Sequence, residues 1–290
     1  MLIVVMWMVT FLTVIGGSLL VLSASERSAH AIELDHTRAE YLALSALSEL
    51  GVQAVEYFGL PADQRAVELG DELVKQELIG RDIPMGEGVV RLALHDESAK
   101  LNLNGSSETI LRSLCAALGL PNPPALAREI VNWRTDHRPF INIEELSDVS
   151  GVTPAILATL SSFLSLYAPG PVNPNTASEP VLRACVEESK RQYEEMLQKP
   201  QNKPPDPPPE VSAILQGRPW TAQKLQEELK GWASPYRVQS RMFRVEATGM
   251  IRRRSCVVTM VGDVLQMTTG GPPAAEWRTY RVEARRPPGS

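Results

Sequence analysis

The sequence predicts an α+β protein, in which one long N-terminal helix packs on an antiparallel sheet and a large all-helical domain is inserted into that sheet. Three observations support this prediction. The first 25 residues are apolar almost throughout and carry no charge. Apolar and polar residues alternate with the period of a strand near residue 90 and again after residue 240. Between these regions the apolar residues recur at helical spacing, and a helical block flanked by strands is most economically an insertion into one sheet.

The N-terminal segment is long enough to cross a membrane. It reads MLIVVMWMVTFLTVIGGSLLVLSAS, and Glu26 is the first ionisable side chain. As a helix it spans roughly 38 Å, which exceeds a bilayer core of about 30 Å. A cleaved secretory signal is the alternative, but that would need a basic start and a shorter apolar run. The residues expected to anchor the chain include Met1, Val5, Trp7, Phe11, Leu19 and Leu22.

The helical pattern continues beyond the membrane segment. From Glu26 to about Phe58 the chain contains no proline, so the helix of the membrane segment is predicted to continue and to reach about 55 residues in all. Its second half is amphipathic, because apolar residues follow steps of three and four positions. The stripe that results consists of Ala39, Leu42, Ala46 and Leu50. We therefore expect the first half of the helix to lie in lipid or against other apolar helices, and the second half to pack on a folded domain.

Three stretches have the pattern of strands. EGVVRLALHD alternates around Leu92, and SRMFRVEATG alternates around Val245. IRRRSCVVTMVGDV is expected to be the hairpin partner of the second stretch, and RTYRVEAR is expected to add a further strand. The basic run 252–254 is expected on an exposed strand, where charged side chains protect an edge from aggregation.

These changes of pattern define the predicted domains. Residues 1–25 are the transmembrane half of the helix, and residues 26–100 are its amphipathic half with the first part of the sheet. Residues 101–234 are the inserted helical domain, and residues 235–290 are the strands that complete the sheet. The proline-rich sequence KPQNKPPDPPPE at 199–210 predicts an extended, mobile loop within the inserted domain.

Two phrases in the helical block are nearly the same. LNLNGSSETILR recurs 71 residues later as VNPNTASEPVLR, and each phrase predicts an extended entry into a helix. Thr176 and Glu179 have the spacing of a capping box, and Gly105 and Glu108 hold the same places in the first copy. Two unrelated capped helices are the alternative, because capping signals are common.

The asparagines ahead of these helices argue for a true repeat. Asn102 corresponds to Asn173, and Asn104 corresponds to Asn175. Asparagine favours turns because its short side chain bonds nearby backbone amides. We therefore expect Asn104 and Asn175 to hold the turns that lead into the two helices.

The segment EELSDVSGVTPAILATL predicts a helix-hairpin-helix unit. One helix ends near Val149, Gly151 supplies the turn, and Thr153 with Pro154 opens the next helix. This arrangement raises DNA binding as a function. The charge opposes it, because residues 101–185 contain five arginines and seven carboxylates, a net charge of −2, whereas phosphate binding requires the opposite sign.

The composition excludes several classes of protein. The formal net charge of −5 and an isoelectric point near 5.6 provide no general attraction to nucleic acid. The histidines are scattered, and no hydrolase, metalloprotease or nucleotide-binding motif is present, so we expect no enzyme activity. Cys115, Cys185 and Cys256 are too few for a disulfide scaffold and are expected to be buried, although a Cys115–Cys185 bridge is an alternative.

Structural calcium is the one cofactor that the sequence leaves open. Clustered carboxylates in loops are the ligands that calcium prefers. Two stretches supply them, one at Asp96 and Glu97 and the other at Asp136 with Glu144 and Glu145. Neither matches an EF-hand, so solvated surface charge is the alternative.

The chain resembles type IV pilins and pseudopilins, which have a single N-terminal hydrophobic helix that continues into an amphipathic half and an antiparallel sheet. The motifs HDESAKLNLN, IVNWRTDHRPFINIEELSDVSGVTPAIL, VNPNTASEPVL and SPYRVQSRMFRVEATG occur in this order. They resemble those of one family of minor pseudopilins, general secretion pathway protein K of the type II secretion system. The resemblance covers nearly the whole chain.

This resemblance implies a pilin-like fold with an inserted domain similar to a sterile-alpha-motif or helix-hairpin-helix domain. It implies a non-enzymatic role at the tip of the periplasmic pseudopilus, in protein secretion. The partners implied are other minor pseudopilins, the inner-membrane secretion platform and membrane lipid, with no nucleic acid. The implied location is the inner membrane, crossed once, with most of the chain in the periplasm. Calcium binding is also known in the family. A membrane-anchored helix-hairpin-helix DNA-binding protein of a competence-type system is the alternative function.

Val5 is a departure from most pilins that supports this family. Most pilins and major pseudopilins have glutamate at the fifth mature position, where it pairs with the terminal amine of a neighbouring subunit. If Met1 is close to the mature start, Val5 occupies that position, and no acid occurs before Glu26. An unpaired carboxylate is costly in lipid, so a subunit with no neighbour above it is better without one.

Overall fold

The structure is a computed structural model that describes residues 2–59, 79–198, 206–238, 240, 242–252, 254–267 and 274–285. The predictions for Met1 and for the first part of the proline-rich loop lie outside these residues. Helix α1 runs without interruption from Leu2–Gly59, a length of 58 residues or about 87 Å. The prediction of one long helix is confirmed, and it follows from the absence of proline along the whole span.

A five-stranded antiparallel sheet packs against the second half of α1. The described residues form seven strands, which in chain order are β1 (Asp82–Met85), β2 (Gly88–Asp96), β3 (Leu101–Asn102), β4 (Leu164–Ser165), β5 (Met242–Ile251), β6 (Arg254–Met267) and β7 (Ala274–Arg285). Five of them form this sheet, in the order β1-β2-β5-β6-β7, and the short strands β3 and β4 pair with each other. Because β2 pairs directly with β5, the 145 residues between Asp96 and Met242 form an insertion into this sheet.

The amphipathic half of α1 crosses the sheet at very close range. A Cβ atom on Gly249 of β5 would lie 2.0 Å from the carbonyl oxygen of Ala39, so only glycine permits this approach. The two elements enclose one hydrophobic core, formed by Ala39, Ala43, Ala46, Leu47, Leu50, Ala54, Tyr57, Val90, Leu92, Phe243, Val245, Ala247, Cys256, Val258 and Met260. The strand patterns predicted around Leu92 and Val245 are therefore confirmed.

The basic run 252–254 is placed differently from the prediction. Ile251 pairs with Arg254, so Arg252 lies in the tight turn between β5 and β6 and not on an exposed strand edge. Its φ of 54° is left-handed, a conformation usually left to glycine or asparagine. The guanidinium contacts the carboxylate of Asp35 at 3.1 Å, which joins the hairpin turn to α1.

The inserted residues form a helical lobe with its own core. Its helices are α2 (Glu108–Ala117), α3 (Pro123–Asp136), α4 (Pro154–Leu160), α5 (Glu179–Leu197), α6 (Val211–Gln216) and α7 (Ala222–Leu229), with 3₁₀ turns at Glu97–Ala99, Ile143–Asp148 and Lys230–Trp232. Its most deeply buried side chains include Leu103, Leu111, Leu114, Ile130, Leu146, Leu160, Leu164 and Leu182. The α+β fold class and the inserted helical lobe are thus confirmed.

Short parallel pairings interrupt the helical character of the lobe. Leu101 of β3 pairs with Leu164 of β4, and Val172 forms an equivalent parallel bridge with Tyr236. Both pairings occur at the start of a repeated phrase. The lobe therefore contains two units that begin alike, the first bounded by Leu101 and Leu164 and the second by Val172 and Tyr236, which favours a true repeat over two unrelated capped helices.

Candidate assembly site

The first half of α1 presents apolar side chains to its surroundings on every side. Of the predicted anchor residues, Trp7 is 70% exposed and Val5 is 57% exposed. Phe11, Leu19 and Leu22 are also exposed. By length and composition, the span Leu2–Tyr57 contains a segment that can cross a membrane, and none of that segment is buried against the protein. Such a surface is stable only in lipid or against other apolar helices.

Three hydroxyls of this segment are satisfied within the helix itself. The hydroxyls of Thr10, Thr13 and Ser18 each donate to the carbonyl four residues earlier, at 2.8–2.9 Å. A hydroxyl without a partner is costly in hydrocarbon, and this pairing removes the cost. These three side chains therefore need no polar partner in the membrane.

The outward face of α1 beyond the membrane segment is also suited to helix packing. Leu34, Tyr41 and Val52 are 57%, 67% and 53% exposed. The hydroxyls of Ser45 and Ser48, between them, donate to carbonyls of the same helix at 2.8 and 3.0 Å. This outward face, defined by the five residues named here, presents three exposed apolar side chains and two hydroxyls that already have partners within the helix.

The asparagines that open the repeated phrases hold local turns. The side-chain oxygen of Asn102 accepts from the Gly105 amide at 2.7 Å, and that of Asn173 accepts from the Asn175 amide at 2.9 Å. Each side-chain amide then donates to a distant group, which is the Ala168 carbonyl for Asn102 and the Ser240 hydroxyl for Asn173.

The second asparagine of each phrase binds a distant backbone, which corrects the predicted local role. Asn104 donates to the Phe140 carbonyl at 2.9 Å and accepts from the Phe140 amide at 2.8 Å. Asn175 makes the same pair of bonds to the backbone of Trp220, at 3.1 and 2.7 Å. Each side chain therefore acts as a strand partner for one residue of a remote segment.

Two arginines complete the repeated units, and sequence reasoning missed both. Arg134 donates to the carbonyls of Leu103 and Ser106, and Arg218 donates to the carbonyls of the corresponding Pro174 and Ala177. Burial lowers the pKa of both arginines, although each remains a cation at neutral pH. No motif marks these arginines, because they lie 31 and 44 residues from the first carbonyl that each one binds.

The predicted helix caps are wrong by two residues. The cap of α2 is Ser107, whose hydroxyl accepts from the Ile110 amide at 3.2 Å, and the cap position of α5 is Ser178. Glu108 and Glu179 are thus the first helical residues and do not complete capping boxes. Gly105 lies in the turn ahead of α2, where its amide binds Asn102.

Thr176 has a different role from the predicted cap. Its hydroxyl donates to the carboxylate of Asp96 at 2.5 Å, 80 residues away. Asp96 ends β2, so this bond joins the sheet to the second unit of the lobe. The same carboxylate accepts from the hydroxyl of Ser240 and from the Ser98 amide. Burial raises the pKa of Asp96, while these donors act in the opposite direction.

Glu97 joins the sheet to the first unit of the lobe. Its carboxylate is almost fully buried and lies 3.0 Å from Lys100 and 3.0 Å from Arg244 of β5. Burial alone would raise its pKa, but Lys100, a hydrogen bond from Ser165 and Arg244 together lower it. Asp96 and Glu97 are therefore the junction between the lobe and the sheet.

The carboxylates considered for calcium are largely occupied by protein groups. Asp96 and Glu97 bind the donors described above, and Glu145 pairs with Arg138 at 2.8 Å. Among the residues that the structure describes, no three side chains of His, Cys, Asp or Glu are grouped to hold a metal ion. Structural calcium stays a prediction.

The three cysteines are buried and free. Burial raises the pKa of Cys115 to about 11 and that of Cys185 to about 12. Because the thiolate is the reactive form, both are inert at neutral pH. The prediction that the cysteines are buried is confirmed, and the alternative Cys115–Cys185 bridge is not formed.

A solved structure of a secretion-system complex is similar along nearly the whole chain. It is a chain from the crystal structure of the GspK-GspI-GspJ complex from enterotoxigenic Escherichia coli Type 2 Secretion System, at 18% identity and a TM-score of 0.53. The match covers 91% of this chain and 99% of that chain. This chain has a pseudopilin fold. The resemblance noted in the sequence is thereby confirmed at the level of the fold.

A family model matches a part of the inserted lobe of this pseudopilin fold. The model for the helix-hairpin-helix motif matches residues 96–165, which is the first of the two units. The hairpin turns at Gly151, whose φ is 83°, and Thr153 caps α4 by accepting from the Ile156 amide. The predicted turn and cap of this unit are confirmed. No curated protein matches the chain.

Proposed function

We propose that this chain is a minor pseudopilin of the type II secretion system, of the general secretion pathway protein K family. The observation that carries this proposal is a combination of two features. One half of α1 is apolar and exposed, and a large helical lobe is inserted between two strands of the sheet that packs on the other half. The likeness to a chain of the GspK-GspI-GspJ complex supports it over nearly the full length of both chains. The role is structural and not enzymatic.

The proposed location is the inner membrane, crossed once by the first half of α1, with the sheet and the lobe in the periplasm. The support is physical. Exposure of the apolar half of α1 to water is unfavourable, so this half is placed in the membrane. The lobe and the second half of α1 carry charged side chains such as Arg38, Glu108 and Arg112, so they are placed outside it.

The proposed partners are other minor pseudopilins, the secretion platform in the inner membrane, and lipid. The crystal structure with the matched chain contains GspI and GspJ together with GspK, which supports partners of the GspI and GspJ kind. The outward face of α1 provides a surface for them. We place the chain at the tip of the pseudopilus, where it initiates the fibre and assists the export of folded proteins, because a lobe of this size obstructs the stacking of identical copies along a shaft.

The test is co-purification of the full chain, in detergent, with the other minor pseudopilins of the same system. Replacing Leu34 and Tyr41 by Glu should reduce recovery of the partners by about tenfold, because two charges would then lie where the outward face of α1 packs on a partner. The matched control is Ile141→Glu, since Ile141 is similarly exposed at 65% but lies on the lobe. Equal recovery with all three proteins would refute the proposed role of the outward face, and no recovery with the unaltered chain would refute the pseudopilin assignment.

DNA binding is the second candidate, and the helix-hairpin-helix match favours it. Charge opposes it, since the hairpin is close in sequence to Glu144, Glu145 and Asp148 and has few cations. Binding to duplex DNA with a steep dependence on salt, together with no recovery of pseudopilin partners, would favour this candidate.

A further inference from the structure

The end of the proline-rich loop is bound by a tryptophan that packs against a second aromatic ring. The indole N–H of Trp232 donates to the Asp206 carbonyl at 2.8 Å. The ring of Tyr193, on α5, packs edge-on against that of Trp232, with centroids 6.2 Å apart and planes at 73°. An indole N–H on a backbone carbonyl beside an aromatic surface is the arrangement that domains use to bind proline-rich ligands.

The segment on this pair has the conformation of such a ligand. Asp206, Pro207 and Pro208 each precede a proline, which restricts them to extended conformations. Glu210, at the end, has φ of −77° and ψ of 154°, values of polyproline II. The segment is therefore ordered in advance, and it loses little entropy when it binds a surface.

Exposed ion pairs lie at both ends of the segment. Lys230 contacts the carboxylate of Asp206 at 2.8 Å, and Lys190 contacts that of Glu210 at 3.3 Å. Lys230 has a left-handed φ of 46°, an uncommon conformation for a residue with a side chain. Residues 206–210, the part of the predicted loop that the structure describes, therefore make contacts at both ends, and the mobility of the loop stays a prediction.

We propose that Trp232, Tyr193 and Lys230 form a binding site for polyproline II segments, which residues 206–210 occupy within the same chain. The external ligand that fits is a proline-rich segment of another protein with an acidic residue directly before its prolines. Proline fits the aromatic surface, the indole N–H binds the carbonyl of the acidic residue, and Lys230 binds its carboxylate. The internal segment competes with such a ligand, so its release controls access to the site.

The test uses the full chain in detergent and a labelled peptide, KPPDPPPE, which copies residues 203–210. Replacing Pro207, Pro208 and Pro209 by Gly removes the preference of the internal segment for the bound conformation. Because apparent affinity scales with the fraction of open sites, this variant should bind the peptide at least about tenfold more tightly than the unaltered chain. Adding Trp232→Phe should weaken that binding about fivefold, through loss of one hydrogen bond.

The control peptide is KAADAAAE, which keeps the charges and lacks proline. Equal affinity for both peptides, equal affinity of the open variant and the unaltered chain, or no effect of Trp232→Phe would each overturn the proposal. If the triple-glycine variant does not fold, Asp206→Lys opens the site by repulsion from Lys230 at an exposed position, and the same two peptides decide the outcome.

Discussion

Asn175 exchanges two hydrogen bonds with the backbone of Trp220, 45 residues further along the chain. Asn104 makes the same exchange with Phe140. An aspartate or a glutamine would not reproduce it, because the pair needs one donor and one acceptor at the reach of asparagine. The asparagine that is repeated at positions 104 and 175 therefore makes the same long-range contact in both units of the lobe.

The first prediction concerns these contacts. Asn175→Ala should lower the free energy of unfolding of the chain by about 2–3 kcal/mol, because the amide and carbonyl of Trp220 lose their partners in a partly buried site. Asn104→Ala should have a similar effect through Phe140. The measurement is denaturant unfolding, and the control is Asn132→Ala, on the exposed side of α3. Equal stability of all three variants would contradict a structural role for the repeat.

The second prediction concerns the close crossing of α1 and β5. Gly249→Ala should destabilise the chain by about 3 kcal/mol or more, because the new methyl meets backbone atoms of Ala39 that have no freedom to rotate away. Gly231→Ala is the control, since a Cβ there meets no atom within 4 Å. Thermal unfolding of both variants measures the difference. A Gly249→Ala variant as stable as the control would show that α1 does not pack on β5 at this close distance.

The third prediction uses the opposite pKa shifts of the two junction carboxylates. The raised pKa of Asp96 means that its stabilising contribution is complete below the ordinary value of 3.8 and is lost as the pH rises through the folded value. The free energy of unfolding of Asp96→Asn, relative to the unaltered chain, should therefore rise from pH 4 to pH 7.

Glu97→Gln should show the opposite trend. The lowered pKa of Glu97 means that its contribution is present above 4.5 and is lost as the pH falls through the folded value. The loss of stability in Glu97→Gln should thus be greatest near neutral pH and should shrink on acidification. Denaturant unfolding at several pH values measures both variants, and parallel trends would contradict the assigned environments.

The sequence predicted the features that depend on local pattern. The length of α1 and the strands around Leu92 and Val245 follow from periodicity, which each segment carries within itself. The predicted caps were wrong because each phrase offers more than one residue able to cap, and the sequence does not say which one adopts the extended backbone. The prediction for Arg252 was wrong because its turn lacks the glycine or asparagine that normally marks a two-residue hairpin turn.

The contacts between remote segments had no signal in the sequence. The hydrogen bonds of Asn104, Asn175, Arg134 and Arg218 described above join residues that are 28 to 45 positions apart. The link from Thr176 to Asp96 spans 80 positions. Such pairs depend on how the two units of the lobe fold together, and residue type alone does not select one partner among many.

The last prediction concerns the place of the chain in the fibre. Val5→Glu should leave the folded domain unchanged, because Val5 lies on the exposed apolar half of α1. On the proposed function, a carboxylate near the start of α1 can pair with the terminal amine of a neighbouring subunit, which offsets its cost in lipid and permits incorporation along the shaft. The amount of this chain relative to the major pseudopilin in sheared fibres should then rise. Val9→Glu is the matched control, since both valines are 57% exposed and Val9 lies one helical turn further along α1. A similar content of the two variants in the fibres would show that the residue at Val5 does not determine the place of the subunit.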